Sequence, residues 1–169
     1  MAGAYSYSDE LGGFSITGIS GSGTRTDPVV LEQELNSASP VTMVIRAVKP
    51  IRGHTLSEEF ANGFIHIRLE TLNNSGLPWA EFEFELQELR GLPSLYGDGL
   101  SFDQRKVETE TSKSDRFASY SRDFEPYDRL RFTDGFVDAL RSVSFSLFIS
   151  DFTPKIEFYL VQDPRIPSS

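Results

Sequence analysis

Asn73-Asn74-Ser75-Gly76-Leu77-Pro78-Trp79-Ala80-Glu81-Phe82-Glu83-Phe84-Glu85-Leu86 reads as a turn followed by a strand with two unlike faces. Successive side chains of a strand point to opposite sides. Ala80, Phe82, Phe84 and Leu86 therefore share one face, and Trp79, Glu81, Glu83 and Glu85 share the other. An apolar face backed by a charged one marks an antiparallel sheet that packs on one side and meets water on the other.

The same alternation recurs along the chain. Between Phe64 and Leu72, Ile65, Ile67 and Leu69 face in, while His66, Arg68 and Glu70 face out. Val143, Phe145, Leu147 and Ile149 line one face of the run from Ser142 to Ile149. Shorter β-prone runs lie at Phe14 to Ile19, Val29 to Leu35, Val41 to Val48, Arg129 to Phe132 and Ile156 to Val161. Thr133-Asp134-Gly135 reads as a tight turn. One helical turn is expected from Thr55 to Gly63, where Thr55 and Glu58 have the spacing of a capping box and Asn62-Gly63 marks a stop. With about eight short strands and at most one short helix, the expected fold is an all-β antiparallel sandwich, immunoglobulin-like or jelly-roll. Residues 1–28 read as a Gly/Ser-rich arm, 29–161 as the sandwich and 162–169 as a flexible tail. The irregular stretch 90–126 is longer than a compact domain normally keeps without a functional reason.

Composition narrows the function. The chain has 169 residues, enough for one domain with a real core, and its 14 phenylalanines supply much of the apolar area. A net charge of -9 repels phosphate backbones, so nucleic acid is not an expected partner. The absence of cysteine removes disulfides, thiolate metal sites and cysteine nucleophiles together. No apolar run approaches the ~18 residues of a transmembrane segment. Met1 to Glu10 shows neither the basic nor the apolar part of a signal peptide.

Few residues suggest chemistry. Glu81, Glu83 and Glu85 stand about 7 Å apart along one strand face, within the roughly 5–9.5 Å range of glycosidase carboxylate pairs. The preferred reading is a solvated face that discourages edge pairing, with Glu81 and Glu83, beside Trp79, as candidate contact residues for a partner or a glycan. Asp98, Asp103, Asp134 and Asp138 are expected in loops and are of the ligand type that calcium takes, although Asp98-Gly99 and Asp134-Gly135 are already explained as turns. No other cofactor is expected. His54 and His66 are too few for a zinc site without cysteine. Gly18-Ile19-Ser20-Gly21 has the wrong register for a nucleophile elbow. Gly21-Ser22-Gly23 lacks the Lys-Ser/Thr ending of a phosphate loop. An enzyme is therefore not expected. Trp79, Tyr120 and Tyr127 are aromatic candidates for stacking on a sugar ring or docking a partner. Phe14 and Ile16, in the N-terminal arm, are candidates for adding a strand to a neighbouring subunit's sheet, which repeated head to tail gives rings or filaments. Arg116, Arg122, Arg129 and Arg131 are expected to pair with Asp123, Glu125 and Asp128.

The phrase from Asn73 to Trp79 leading into Phe82-Glu83-Phe84-Glu85-Leu86 resembles a recurring segment of bacterial secreted β-sandwich modules. Leu130-Arg131-Phe132-Thr133-Asp134-Gly135, the strand Val143 to Ile149 and Glu157-Phe158-Tyr159-Leu160-Val161 extend the resemblance over residues 64–161. It implies an adhesive, matrix or surface component, extracellular or on the cell surface. The chain departs from that pattern in showing no signal peptide and no anchor tail. The expected function is that of a non-enzymatic structural or adhesive protein, a homo-oligomer that self-assembles or binds a protein partner. The alternatives are a carbohydrate-binding module with a glycan partner and a virion capsid or tail decoration protein.

Overall fold

The computed structural model describes residues 3–55, 57–92, 99–102, 112–123 and 128–167. Within them the chain is all-β, with twelve strands and no helix. In chain order these are β1 (Tyr5–Ser8), β2 (Phe14–Ser20), β3 (Val29–Leu35), β4 (Val41–Ala47), β5 (Phe64–Asn73) and β6 (Glu81–Gln87). They continue with β7 (Leu100–Phe102), β8 (Lys113–Ser114), β9 (Phe117–Asp123), β10 (Arg129–Gly135), β11 (Ser142–Asp151) and β12 (Glu157–Arg165). The first sheet has the order β1-β4-β12-β6-β10-β9. The second runs β2-β3-β5-β11-β7, with β8 also on β11. Every pairing is antiparallel except β3 with β5.

The two sheets face each other across one core. The inward residues of β5 and β11 (Ile65, Ile67, Leu69, Val143, Phe145, Leu147 and Ile149) are all fully buried, as the alternation requires. They meet Phe82, Phe84 and Leu86 of β6, Phe132 of β10 and Leu160 of β12. Phe145 is the hub. Its ring lies 4.7 Å from Phe82, 5.0 Å from Phe84, 5.1 Å from Phe132 and 6.0 Å from Phe117. Edge and tilted contacts of this kind add to the area that each ring removes from water.

A polar tie crosses the same core. Gln33 of β3 and Gln162 of β12 are buried and exchange two amide hydrogen bonds, at 2.6 and 3.0 Å. The Gln33 amide also donates to the Thr71 hydroxyl at 2.9 Å. This accounts for the extension of β12 to Arg165, into residues that read as a loose tail. Gln162 faces the core, and Asp163, Pro164 and Arg165 pair with Glu83, Phe82 and Glu81. Residues of the expected arm also belong to the sheets: β1 pairs with β4, and β2 pairs with β3.

Four local expectations change. Thr133 to Gly135, read as a tight turn, continue β10 and pair with β9. The segment after Thr55 is a turn rather than a helix. The Thr55 hydroxyl accepts from Ser57 N at 3.2 Å, and Ile51 bridges Ala61. A Thr side chain that closes a turn two residues on competes with helix formation. Trp79 is buried rather than outward. Strand β6 begins only at Glu81, so the two-residue period does not reach Trp79. Instead, the Asn73 side chain shapes the preceding loop, accepting from Ser75 N and donating to Leu77 O and Val137 O. Trp79 then exchanges backbone bonds with Val137 at 2.9 Å each, and its indole donates to Ser75 Oγ. The irregular stretch 90–126, finally, contains β7, β8 and β9.

Candidate functional site

The outward face of the second sheet is built by β3, β5, β11 and β8. Cross-strand register sets its side chains in rows, about 7 Å apart along the strands. Val30, Arg68, Ser146 and Lys113 are successive partners in one row. Glu32, Glu70 and Ser144 form the next, and Asp115 joins it by accepting from Ser144 N at 2.8 Å. Beyond the acidic row lie Glu34, Leu72 and Ser142, and beyond the basic row lie His66 and Phe148.

Each row has its own character. His66 and Phe148 stack with centroids 4.2 Å apart and planes 12° apart, and Phe64 and Phe152 extend the aromatic cluster. Between this cluster and the acidic row runs a groove of about 380 Å³ whose lining includes Arg25, His66, Arg68, Lys113 and Ser146. Arg68, Lys113, Asp115 and Glu32 are exposed. Arg68 and Glu70 bridge along β5 at 2.7 Å. The small serines on the outer face of β11 keep the middle of the surface low.

The outer face of the first sheet looks different. Glu83, expected on a wet surface, is buried. Guanidinium groups cover it: Arg131 at 3.0 Å, Arg165 at 3.3 Å and Arg129 at 3.7 Å. Glu85 binds Arg129 at 2.8 Å. The arginines of β10 thus pair across to β6, because Arg129 and Arg131 are the register partners of Glu85 and Glu83. Of their expected partners, Asp128 accepts from Ser101 Oγ at 2.8 Å among its contacts, and Glu125 lies outside the described residues. Asp163, beside Arg165, is held above the usual carboxylate range by burial.

A smaller concavity of about 90 Å³ lies at one end of the sandwich, where Tyr5, Tyr7, Lys49 and Asn62 form part of the wall. Burial pushes the Tyr5 phenol up to about 12, and its oxygen accepts from Gly63 N at 2.8 Å. Tyr7 is also pushed up by burial, and its hydroxyl has no partner among the described residues. Burial raises the Asp151 carboxyl to about 6. Its Oδ1 accepts from Thr153 N at 2.9 Å, while Oδ2 has no partner among the described residues.

The remaining sequence candidates are scattered. Phe14 is buried in the core of its own chain, and Ile16 is half-buried on β2. Glu81 is half-buried at the start of β6. Tyr120 packs against Phe132 at 6.0 Å. Asp134 and Asp138 are exposed near and in the loop after β10, and Tyr127, Asp98 and Asp103 lie outside the described residues. Among the described residues, no group of three or more potential ligands is arranged to hold a metal ion, and no helix is long and apolar enough to cross a membrane. Sequence reading placed Arg68 and Glu70 outward but did not join them to Lys113 and Asp115. The usable signal was the serine alternation of β11, which marks a flat outer face. No protein-family model matches the chain, and no curated protein or solved structure matches it.

Proposed function

We propose that this chain is a non-enzymatic structural protein that works by non-covalent association through the outer face of its second sheet. The observation that carries the reading is the ordering of that face into aromatic, basic and acidic rows on rigid, paired strands. Flat, charged and partly apolar surfaces of this kind suit protein contact. The carboxylates that would serve hydrolysis are tied up elsewhere, with Glu83 and Glu85 bound by arginines. A bacterial surface layer or adhesive assembly is the setting implied by the resemblance, and a virion coat is the alternative. Light scattering tests the reading: the mass of the purified chain rises with protein concentration between the micromolar and millimolar ranges. A mass fixed at that of the monomer throughout refutes self-association.

A carbohydrate-binding reading moves away from Trp79 and Tyr120, which pack inside, to the stacked His66 and Phe148 beside the basic groove. Its test is a nuclear magnetic resonance titration with a sulfated oligosaccharide, in which shifts confined to β5 and β11 favour it.

A further inference from the structure

Resting on the proposed self-association, we infer that the partner on this face is a second copy of the chain, related by a two-fold axis crossing β5 between Arg68 and Glu70. The argument is one of symmetry and charge. An axis lying in the interface and running across the strands keeps each strand opposite its own copy and inverts the order of the rows. The row at Arg68 then lies over the partner's row at Glu70. On β5, Arg68 meets Glu70 of the partner subunit, and on β8, Lys113 meets Asp115 of the partner subunit, each contact occurring twice, while on β3 Glu32 comes over Val30 of the partner subunit. The next rows also match: His66 comes over Leu72 of the partner subunit, and Phe148 over Ser142 of the partner subunit. A face with one basic and one acidic row is self-complementary only under this operation, and a two-fold interface requires the same patch on both copies. A two-fold axis running along the strands would instead set basic on basic and acidic on acidic.

The surface supports close approach. Ser142, Ser144 and Ser146 project little, and neighbouring sheets pack about 10 Å apart. The net charge of -9 on each copy opposes association, but at physiological salt it is screened beyond ~8 Å while contact pairs are not. Complementary rows therefore select one geometry against a general repulsion.

Charge reversal with rescue tests this in the full chain by sedimentation velocity. The variant Arg68→Glu/Lys113→Glu makes both rows acidic on β5 and β8, and Glu70→Lys/Asp115→Lys makes both basic there, with Glu32 on β3 unchanged. Each alone is expected to dimerise at least ~10-fold more weakly than the native chain, as like charges at an interface are strongly disfavoured. Mixed in equal amounts, they are expected to recover a dimer of native affinity. Because Asp115 also accepts from Ser144 N, the milder pair Arg68→Glu and Glu70→Lys leaves that bond intact and shows the same loss and rescue. Variants that associate as well as the native chain overturn the proposed face while self-assembly stands. Loss without rescue in both pairs overturns the two-fold geometry. A native chain that stays monomeric overturns both readings.

Discussion

Replacing Gln162 by Leu tests whether the buried amide pair joins the sheets as a unit. The substitution nearly conserves volume, so the loss is polar. It deletes both bonds to Gln33 and leaves Gln33 Oε1 without a donor in a site that is 2% exposed. Two net bonds at about 1 kcal/mol each plus an orphaned group at ~1–3 kcal/mol predict a loss of ~3–5 kcal/mol. Gln33→Leu should cost about as much, since it orphans both ends of the Gln162 amide. Changing both to Leu removes donors and acceptors together and leaves only the Thr71 hydroxyl to find a new orientation. The double variant should therefore be more stable than either single one by ~1–2 kcal/mol, because matched removal avoids orphaned groups. Urea unfolding of the four proteins reads this directly. If the double variant loses the sum of the two single losses, the amides act independently and the reasoning fails.

Phe145→Ala should destabilise the fold by ~3–5 kcal/mol, since four rings converge on that side chain, and urea unfolding measures it. Asp151 gives a pH signature. Burial raises its folded carboxyl from 3.8 to about 6, so between those values the folded chain keeps a proton that the unfolded chain releases, and stability falls as pH rises. Asp151→Asn cannot titrate, so its stability relative to the native chain should gain ~1–2 kcal/mol across that window, after screening by solvent, and then level off. A pH-independent difference in melting curves contradicts this. At Gly135 a Cβ would lie 2.1 Å from Arg116 O and 2.8 Å from Phe117 Cα. Gly135→Ala should therefore push β9 off β10 and cost ~1–3 kcal/mol, with faster hydrogen exchange confined to those strands.

The sequence shows β5, β6 and β11 clearly because each buries one face and wets the other. It hides β12 past Val161, where the core residue is a glutamine whose partner lies 129 residues away. It hides β7 and β8 because two- and three-residue strands cannot display a period. Trp79 misleads for a related reason, since a residue just outside a strand obeys its loop and not the alternation. The candidate site suffers most. Arg68 and Glu70 are visibly outward, but Lys113 and Asp115 sit in a charged tract whose neighbours only strand pairing reveals. A row across four strands is a property of register, which one-dimensional reading does not contain.

The position of β12 has a consequence for synthesis. β12, the last of the described strands in sequence order, fills the middle of the first sheet, hydrogen-bonded to β4 on one side and β6 on the other. A nascent chain that ends before Glu157 holds two fragments of that sheet, each with an open edge where β12 belongs. Open edges recruit foreign strands, and long-range pairings of this kind close slowly. Folding of the first sheet therefore waits for β12 to clear the ribosome. Until then β4 and β6 each keep an edge open to pairing with foreign strands.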